Sequence, residues 1–214
     1  MIHADPRGTE PAAISHGKSY ILFYKPYGVV SQFTREAGYL SLADFGPFPK
    51  DTYAAGRLDA DSEGLLLLTN DNKLKHRITD PAFAHERTYL VQVEGLPDES
   101  ALERLQKGVI IEGKRTRPAT VSVLTREPNL APRTVPIRFR KNIPASWIKL
   151  VVREGRNRQV RKMTAAVGHP TLRLVRTSII FLTIAGLHPG EHRPLIRNEV
   201  RRLYTVLQYP NSLL

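Results

Sequence analysis

The sequence contains no cysteine, which excludes disulfide bonds and thiolate-ligated metal sites. It also lacks long hydrophobic runs, since apolar stretches such as Leu65–Leu68 are far too short for a membrane-spanning helix. Residues 1–18 show neither the apolar core of a secretory signal nor any periodicity, so we expect a flexible arm there. These absences predict a cytoplasmic protein that does not associate with a membrane.

Acidic residues are scarce relative to basic ones. The chain has 20 Asp and Glu against 32 Lys and Arg, a formal net charge of +12. The excess is concentrated, because residues 133–162 hold ten basic side chains and one acid, Glu154. Such a concentration predicts an anionic polymer as partner, with nucleic acid as the first candidate.

Strand patterns outnumber helical patterns along the 214 residues. The run GLLLLT has no alternation, as in a strand covered on both faces, whereas TYLVQVEG alternates like a half-buried strand. Helices are predicted over 99–107, after the capping residue Asp98, and over 158–167, after Asn157. Together these elements predict an α/β domain of the α+β type, built on a largely antiparallel mixed sheet.

Three acids, Asp59, Asp61 and Glu63, occupy alternate positions directly before the leucine run. Their spacing matches the first half of a calcium loop, but the twelfth position, where a bidentate Glu is needed, is Asn70. Paired carboxylates could instead hold magnesium beside phosphate in a nuclease or phosphatase. The acids could also be surface ion-pair partners for Arg57 and its neighbours. The acidic residues by themselves leave these last two alternatives open.

The predicted helix at 158–167 carries cations where its dipole disfavours them. Arg158, Arg161 and Lys162 are spaced to share one face, and that face lies in the first turn. An anionic ligand or a carboxylate should therefore compensate the charge, and RNA or DNA phosphate is the expected ligand. The alternative is a merely solvated helix face.

Four segments in order resemble the RsuA/RluB/RluE/RluF group of ribosomal RNA pseudouridine synthases. GRLDADSEGLLLLTND resembles the catalytic motif of the group, and KPYG at 25–28 resembles its first motif. RTY at 87–89 stands where the group usually has Lys-x-Tyr, and EGRNRQVRKM resembles its third motif. The stretch from PIRFRK to LRLVR is most similar to the RluE type, which acts on large-subunit (23S) rRNA. Arg87 in place of Lys and Ile180 in place of the usual Gly are departures.

The resemblance implies a pseudouridine-synthase fold with two lobes around a cleft and no S4 domain, as a single catalytic domain over residues 19–214. It also implies an isomerase that breaks the C1′–N1 bond of a flipped uridine and rejoins the uracil through C5. That reaction needs no cofactor and no metal. The implied partner is ribosomal RNA, as 23S rRNA or an assembling large subunit, and the protein is expected to be a monomer. A non-catalytic RNA-binding or ribosome-assembly protein on this scaffold is the alternative.

The resemblance also assigns roles to residues. Asp59 is the expected catalytic carboxylate, Tyr89 stacks on the flipped base and assists loss of the C5 proton, and Arg161 pairs with Asp59. Asp61 and Glu63 are left with supporting roles, Glu63 as partner of a nearby arginine. The residues expected to contact RNA are Lys25, Arg57, Arg87, Arg156, Asn157, Arg158 and Lys162.

Overall fold

The computed structural model describes residues 17–137 and 143–208. The predicted arm over residues 1–18 therefore lies outside the described residues, except for its last two positions. The main strands are β1 (Tyr20–Lys25), β3 (Glu63–Thr69), β4 (Arg87–Glu94), β7 (Thr120–Val123), β8 (Ala145–Val152) and β9 (Thr171–Ile179). The short strands are β2 (Tyr53–Ala54), β5 (Ile110–Ile111), β6 (Lys114–Arg115), β10 (Leu182–Thr183) and β11 (His192–Pro194). The helices are α1 (Asn72–Thr79), α2 (Glu99–Lys107), α3 (Gln159–Ala166) and α4 (Arg197–Val206).

One nine-stranded sheet organises the molecule in the order β11-β1-β3-β9-β4-β8-β7, with β2 and β10 paired at its side and β5-β6 as a separate hairpin. Along this path β3 and β9 are parallel and the other neighbours are antiparallel. The predicted mixed α/β architecture with a largely antiparallel sheet is confirmed. Within residues 17–137 and 143–208, no helix is both long and apolar enough to cross a membrane.

The leucine run lies in the middle of this sheet and is buried along its whole length. Leu66 and Leu68 join the apolar cluster on one face, while Leu65 and Leu67 join the cluster on the other. The prediction of a strand covered on both faces is therefore confirmed. In β4 buried and half-buried residues alternate, as the sequence pattern predicts. Because β3 is fixed from both sides, the loop that precedes it has a rigid anchor.

Helix α2 has the predicted bounds, and the Asp98 side chain accepts a hydrogen bond from Ala101 N at 2.7 Å. Helix α3 begins one residue later than predicted, and Asn157 does not cap it. Its N-cap is Arg158 in the left-handed conformation, with φ of 49°. The Asn157 side chain instead accepts a hydrogen bond from Lys162 Nζ at 3.1 Å, so it is not available to the first helical turn.

Candidate active site

A cavity of about 420 Å³ opens where the loop before β3 meets the starts of β4 and α3 and the end of β9. Its volume falls within the range of small-molecule sites. Seven of the ten predicted site residues line it: Arg57, Asp59, Arg87, Tyr89, Arg156, Asn157 and Arg158. Lys25, Arg161 and Lys162 are not part of its lining.

Asp59 lies in a turn that is held from two sides. Ser31 Oγ donates to Leu58 O at 2.7 Å and accepts from Leu58 N at 3.0 Å, which fixes the residue before the acid. Ser62 N donates to Asp59 O at 3.0 Å and closes the turn. The Asp59 side chain retains 40% of its exposure, so the turn presents a carboxylate to the cavity while its backbone is bonded to the protein.

Lys25 does not contact the cavity, which corrects its predicted place among the RNA-binding residues. It is completely buried, and its Nζ donates to Val29 O at 2.6 Å, Pro26 O at 2.9 Å and Ala60 O at 3.5 Å. Burial lowers the pKa of Lys25 to about 7, against the opposing effect of nearby carboxylates such as Glu63. The lysine therefore ties the KPYG turn to the residue after Asp59 rather than meeting a ligand.

Arg158 is the arginine that pairs with Asp59. Its Nη1 lies 3.5 Å from Asp59 Oδ2, while both terminal nitrogens bond Asp61, Nη2 at 2.8 Å and Nη1 at 3.2 Å. The left-handed backbone of Arg158 costs a non-glycine residue about 1 kcal/mol. Strained residues of this kind cluster at functional sites, and here the strain accompanies contacts between one guanidinium and two carboxylates.

Arg161 bonds Asp61 instead of Asp59, so the predicted Arg161–Asp59 pair is not formed. Its Nη2 donates to Asp61 O at 2.6 Å, and its Nε lies 3.4 Å from Asp61 Oδ2. Burial acts to raise the pKa of Asp61, but the hydrogen bonds and charges of Arg158 and Arg161 outweigh it and the pKa lies below its ordinary value. Asp61 is thus the carboxylate that compensates the cations at the start of α3.

The inner wall of the cavity holds Tyr89 and two buried guanidiniums. Tyr89 is 8% exposed, Arg87 donates to Ile78 O at 2.9 Å, and Arg176 donates through Nε to Leu65 O at 2.8 Å. Burial lowers the pKa of Arg87; the nearby Tyr89 acts against this shift and Arg176 adds to it. Two positive groups this close favour an electron-rich ligand beside the tyrosine.

Arg176 is a cavity residue that the sequence reasoning missed. The signal available was a single charged residue inside the predicted strand segment LVRTSI, because such a residue is seldom buried without a specific partner. Its Nη2 is buried and has no hydrogen-bond partner in the described part of the chain. Gly64 permits the close crossing of β3 and β9 here, since a Cβ at its φ of 110° would collide with the backbone of Arg176.

The three alternately spaced acids have different surroundings and do not converge on one cation. Glu63 is buried and forms a two-point ion pair with Arg173, at 2.9 and 2.7 Å, which confirms its predicted arginine partner. Asp61 is engaged by the arginines of α3, and Asp59 faces the cavity. This divergence argues against a shared magnesium or calcium site at the loop.

The remaining predicted RNA contacts differ in how free they are. Arg57 is exposed at the cavity wall. Arg156 lines the cavity, but its Nη2 donates to Ile111 O at 2.7 Å in the β5–β6 hairpin. Lys162 lies outside the lining and donates to Glu112 at 2.6 Å. Arg57 and Arg158 are therefore the predicted cations with most exposure at the cavity.

Comparison with known proteins places this geometry in a family. The chain matches the RNA pseudouridylate synthase family over residues 19–166. It is 53% identical to ribosomal large subunit pseudouridine synthase E of Xanthomonas campestris pv. campestris, over 81% of this chain and 93% of that protein. It is 48% identical to the protein of the same name from Vibrio parahaemolyticus, over 87% of this chain and 77% of the relative.

More distant relatives agree. Ribosomal small subunit pseudouridine synthase A of Escherichia coli is 35% identical over 89% of this chain and 76% of its own length. A crystal structure described as a pseudouridylate synthase superposes with a TM-score of 0.71 at 30% identity, covering 87% of this chain and 74% of that one. The fold, the order of the motifs and these similarities together show that the chain belongs to the RNA pseudouridylate synthase family.

Proposed function

We propose that the protein converts a specific uridine of large-subunit (23S) ribosomal RNA into pseudouridine, without a cofactor. The observation that carries the proposal is the half-exposed carboxylate of Asp59 beside Arg158, in a cavity that Tyr89 also lines. Family membership supplies the reaction, and the names of the two most similar relatives described above supply the class of RNA. We further propose a cytoplasmic monomer with one catalytic domain over residues 19–214.

The cavity can take a uridine only after the nucleotide has flipped out of its base stack, because a stacked uridine cannot bring its C1′ and C5 atoms to side chains within the cavity. Asp59 then supplies negative charge beside the ribose while the C1′–N1 bond breaks. The uracil turns within the cavity, a C5–C1′ bond forms, the proton on C5 is lost to water, and N1, now free of the ribose, takes up a proton. Every atom of the substrate except that exchanged proton is retained, which makes the reaction an isomerisation.

Tyr89 and the arginines divide the remaining work. Tyr89, held in β4 at the inner wall, stacks on the flipped base and assists loss of the C5 proton. Arg158 orients the Asp59 carboxylate through the contact of its Nη1, a role that the sequence assigned to Arg161. Arg161 acts through Asp61, which fixes the start of α3 against the catalytic turn.

RNA contacts at the cavity follow from exposure and charge. The proposed set is Arg57, Arg87, Arg156, Asn157, Arg158 and Lys162. Arg57 and Arg158 are the strongest candidates for phosphate contacts because they are exposed at the cavity, whereas Arg87 is buried and faces the base. Lys25 is left out because its ammonium is enclosed by backbone carbonyls.

Incubation with rRNA carrying tritium at uracil C5 tests the reaction. We expect tritium to enter water stoichiometrically, with the RNA strand intact and EDTA present. Binding of the rRNA without any tritium release would support the non-catalytic RNA-binding alternative. Strand cleavage that EDTA abolishes would identify a metal-dependent nuclease instead. Mapping pseudouridines in rRNA from cells with and without the protein would then identify the target nucleotide.

A further inference from the structure

A second concave surface, of about 390 Å³, lies outside the catalytic cavity. It is formed where the approach to β4, the end of β8, the β9–β10 hairpin and α4 come together. We call it the aromatic–arginine groove, and the residues used below are His85, Glu86, Arg153, Ile180, Phe181 and Arg202. Apart from Ile180, which stands where the group usually has Gly, these residues lie outside the four segments that resemble the family.

Aromatic rings and guanidiniums alternate in and beside the groove. The Arg202 guanidinium lies 4.1 Å from the centroid of the Phe181 ring. The His85 ring stacks parallel to Phe83, with centroids 5.9 Å apart and an interplanar angle of 5°, and Phe83 is 40% exposed. Arg77 lies over the same ring at 5.7 Å. Rings that offer stacking faces next to cations are typical of surfaces that bind single-stranded nucleic acid.

The charge of the groove favours an anionic partner. Arg153 and Arg202 contribute two positive charges, and Glu86, which pairs with Arg153, contributes the one acid of the lining. Burial and the neighbouring charge of Arg87 both lower the pKa of His85, which is therefore mainly neutral and presents an aromatic face. A net positive surface with aromatic rings matches the phosphates and bases of RNA better than it matches a protein segment of mixed charge or a lipid.

The groove begins where the wall of the catalytic cavity ends. Arg87, Val152 and Ile179 line the cavity, and the residue next to each of them in the chain lines the groove. Consecutive Cα atoms are about 3.8 Å apart, so the two surfaces are separated by roughly one residue. The two surfaces therefore meet at the end of the sheet where β4 begins and β8 and β9 end.

The backbone at the edge of the groove is strained. Ile180 has φ of 59°, which is an outlier for a β-branched side chain. Its N–H donates to Glu86 O at 2.8 Å, which joins the β9–β10 hairpin to the approach to β4. This turn carries Phe181 into the groove beside Arg202. Strain that is kept by specific contacts is common at binding sites.

We propose that the aromatic–arginine groove binds the RNA strand that flanks the target uridine. One base stacks on Phe181 or His85, and the adjoining phosphate pairs with Arg202 and Arg153. This inference rests on the proposed function for the identity of the RNA, and it adds a second contact region that the catalytic motifs do not contain.

The test compares Arg202→Glu with Lys107→Glu in the full chain. Lys107 is exposed on α2, so the control makes the same charge change away from the groove. The probe is a 23S rRNA transcript, and the readouts are its Kd over a salt series, KM and kcat. For Arg202→Glu we expect Kd and KM to rise about tenfold, the size of one lost stacking or phosphate contact. The slope of log Kd against log salt should fall by about 0.7 per lost phosphate, with kcat unchanged.

Two further variants keep the test decisive if Arg202→Glu does not fold. Arg202→Gln removes the charge conservatively, and Phe181→Leu removes the ring while keeping an apolar side chain against the core cluster that Phe181 contacts. Each should weaken RNA binding by about fivefold while unfolding at the temperature of the wild type. RNA containing 4-thiouridine next to the target should crosslink to peptides with Phe181 or His85 in the wild type.

Wild-type affinity in every folded groove variant would overturn the inference, whether or not a protein binds the groove. If the wild-type protein releases tritium and the groove variants bind rRNA with wild-type affinity, the groove inference is contradicted and the proposed reaction is not. A wild-type protein that releases no tritium, with RNA binding that still depends on Arg202, contradicts the proposed reaction but supports the groove.

Discussion

Around the catalytic cavity, Lys25, Arg173 and Arg176 are almost completely buried, whereas Arg57 and Arg158 reach the solvent. Arg173 and Arg176 connect β9 to β3 through Glu63 and Leu65 O, and Lys25 connects the end of β1 to the loop before β3 through Ala60 O. The exposed cations face the cavity with donors that a ligand can reach. The cations around the cavity therefore form two groups. The buried group stabilises the structure of the site, and the exposed group is available to RNA.

The acids show the same division. Glu63 is enclosed in an ion pair, while Asp59, four residues earlier, keeps 40% of its side-chain exposure. Asp61 stands between them, because it is partly exposed and yet bonded to both arginines of α3. Changes in the buried group should therefore alter stability, and changes in the exposed group should alter RNA binding or turnover.

The largest effect on stability is expected for Arg173→Met. The substitution leaves the Glu63 carboxylate buried without its partner, which costs about 3–5 kcal/mol in the free energy of unfolding. Urea denaturation measures it. The matched control is Arg153→Met, which removes an exposed pair with Glu86 and should cost no more than about 1 kcal/mol. Equal losses in the two variants would mean that burial does not separate the two groups of cations.

Asp61→Asn should mainly reduce turnover. Without the carboxylate charge, Arg158 and Arg161 lose their common ion-pair partner, and Arg158 then orients Asp59 less firmly. A hydrogen bond to a charged group contributes about 1.5–3 kcal/mol, so kcat should fall by about tenfold or more. RNA affinity should not decrease, because a negative charge is removed. Asp61→Glu should recover part of kcat, and a variant with wild-type kcat would show that Asp61 has no positioning role.

Lys25→Met should change how stability depends on pH. The pKa of Lys25 is about 7 in the folded protein and 10.5 ordinarily, so between these values the unfolded chain binds more protons. Stability of the wild type should therefore rise with pH across this window, by up to about 1.4 kcal/mol per unit, and the lysine contributes no slope below pH 7. Urea titrations from pH 7 to 10 should show a smaller slope in Lys25→Met. An identical dependence of stability on pH in the two proteins would mean that Lys25 Nζ is not buried among the backbone carbonyls of Pro26, Val29 and Ala60.

The smallest change in free energy is expected in the RNA affinity of Arg158→Ala combined with Lys162→Ala, whose turnover should fall as well because Arg158 orients Asp59. RNA binding should weaken, and the slope of log K against log salt should become shallower by about 0.7–0.9 for each lost phosphate contact. Filter binding over a salt series measures it, with Lys107→Ala as an exposed control. An unchanged slope would mean that neither residue contacts phosphate, and that Arg158 is not one of the cations that bind RNA.

Much of the fold could be predicted from local patterns, because β3, β4 and α2 each carry their periodicity or cap within a few residues. The predicted start of α3 was wrong. The Asn157 side chain accepts a hydrogen bond from Lys162 instead of capping the helix, and residue spacing does not reveal that contact. The burial of Lys25 and the Arg161–Asp61 contact depend on how distant strands and α3 meet. Arg176 and the aromatic–arginine groove could not be found from motifs because their neighbours come from separate parts of the chain.

The most direct test of the account compares Asp59→Asn and Asp61→Asn with the wild type in single-turnover tritium release at saturating rRNA. We expect no measurable release from Asp59→Asn, slowed release from Asp61→Asn, and rRNA affinity in Asp59→Asn close to that of the wild type. Release from Asp59→Asn at the rate of the wild type would contradict the assignment of Asp59 as the carboxylate that acts on the uridine.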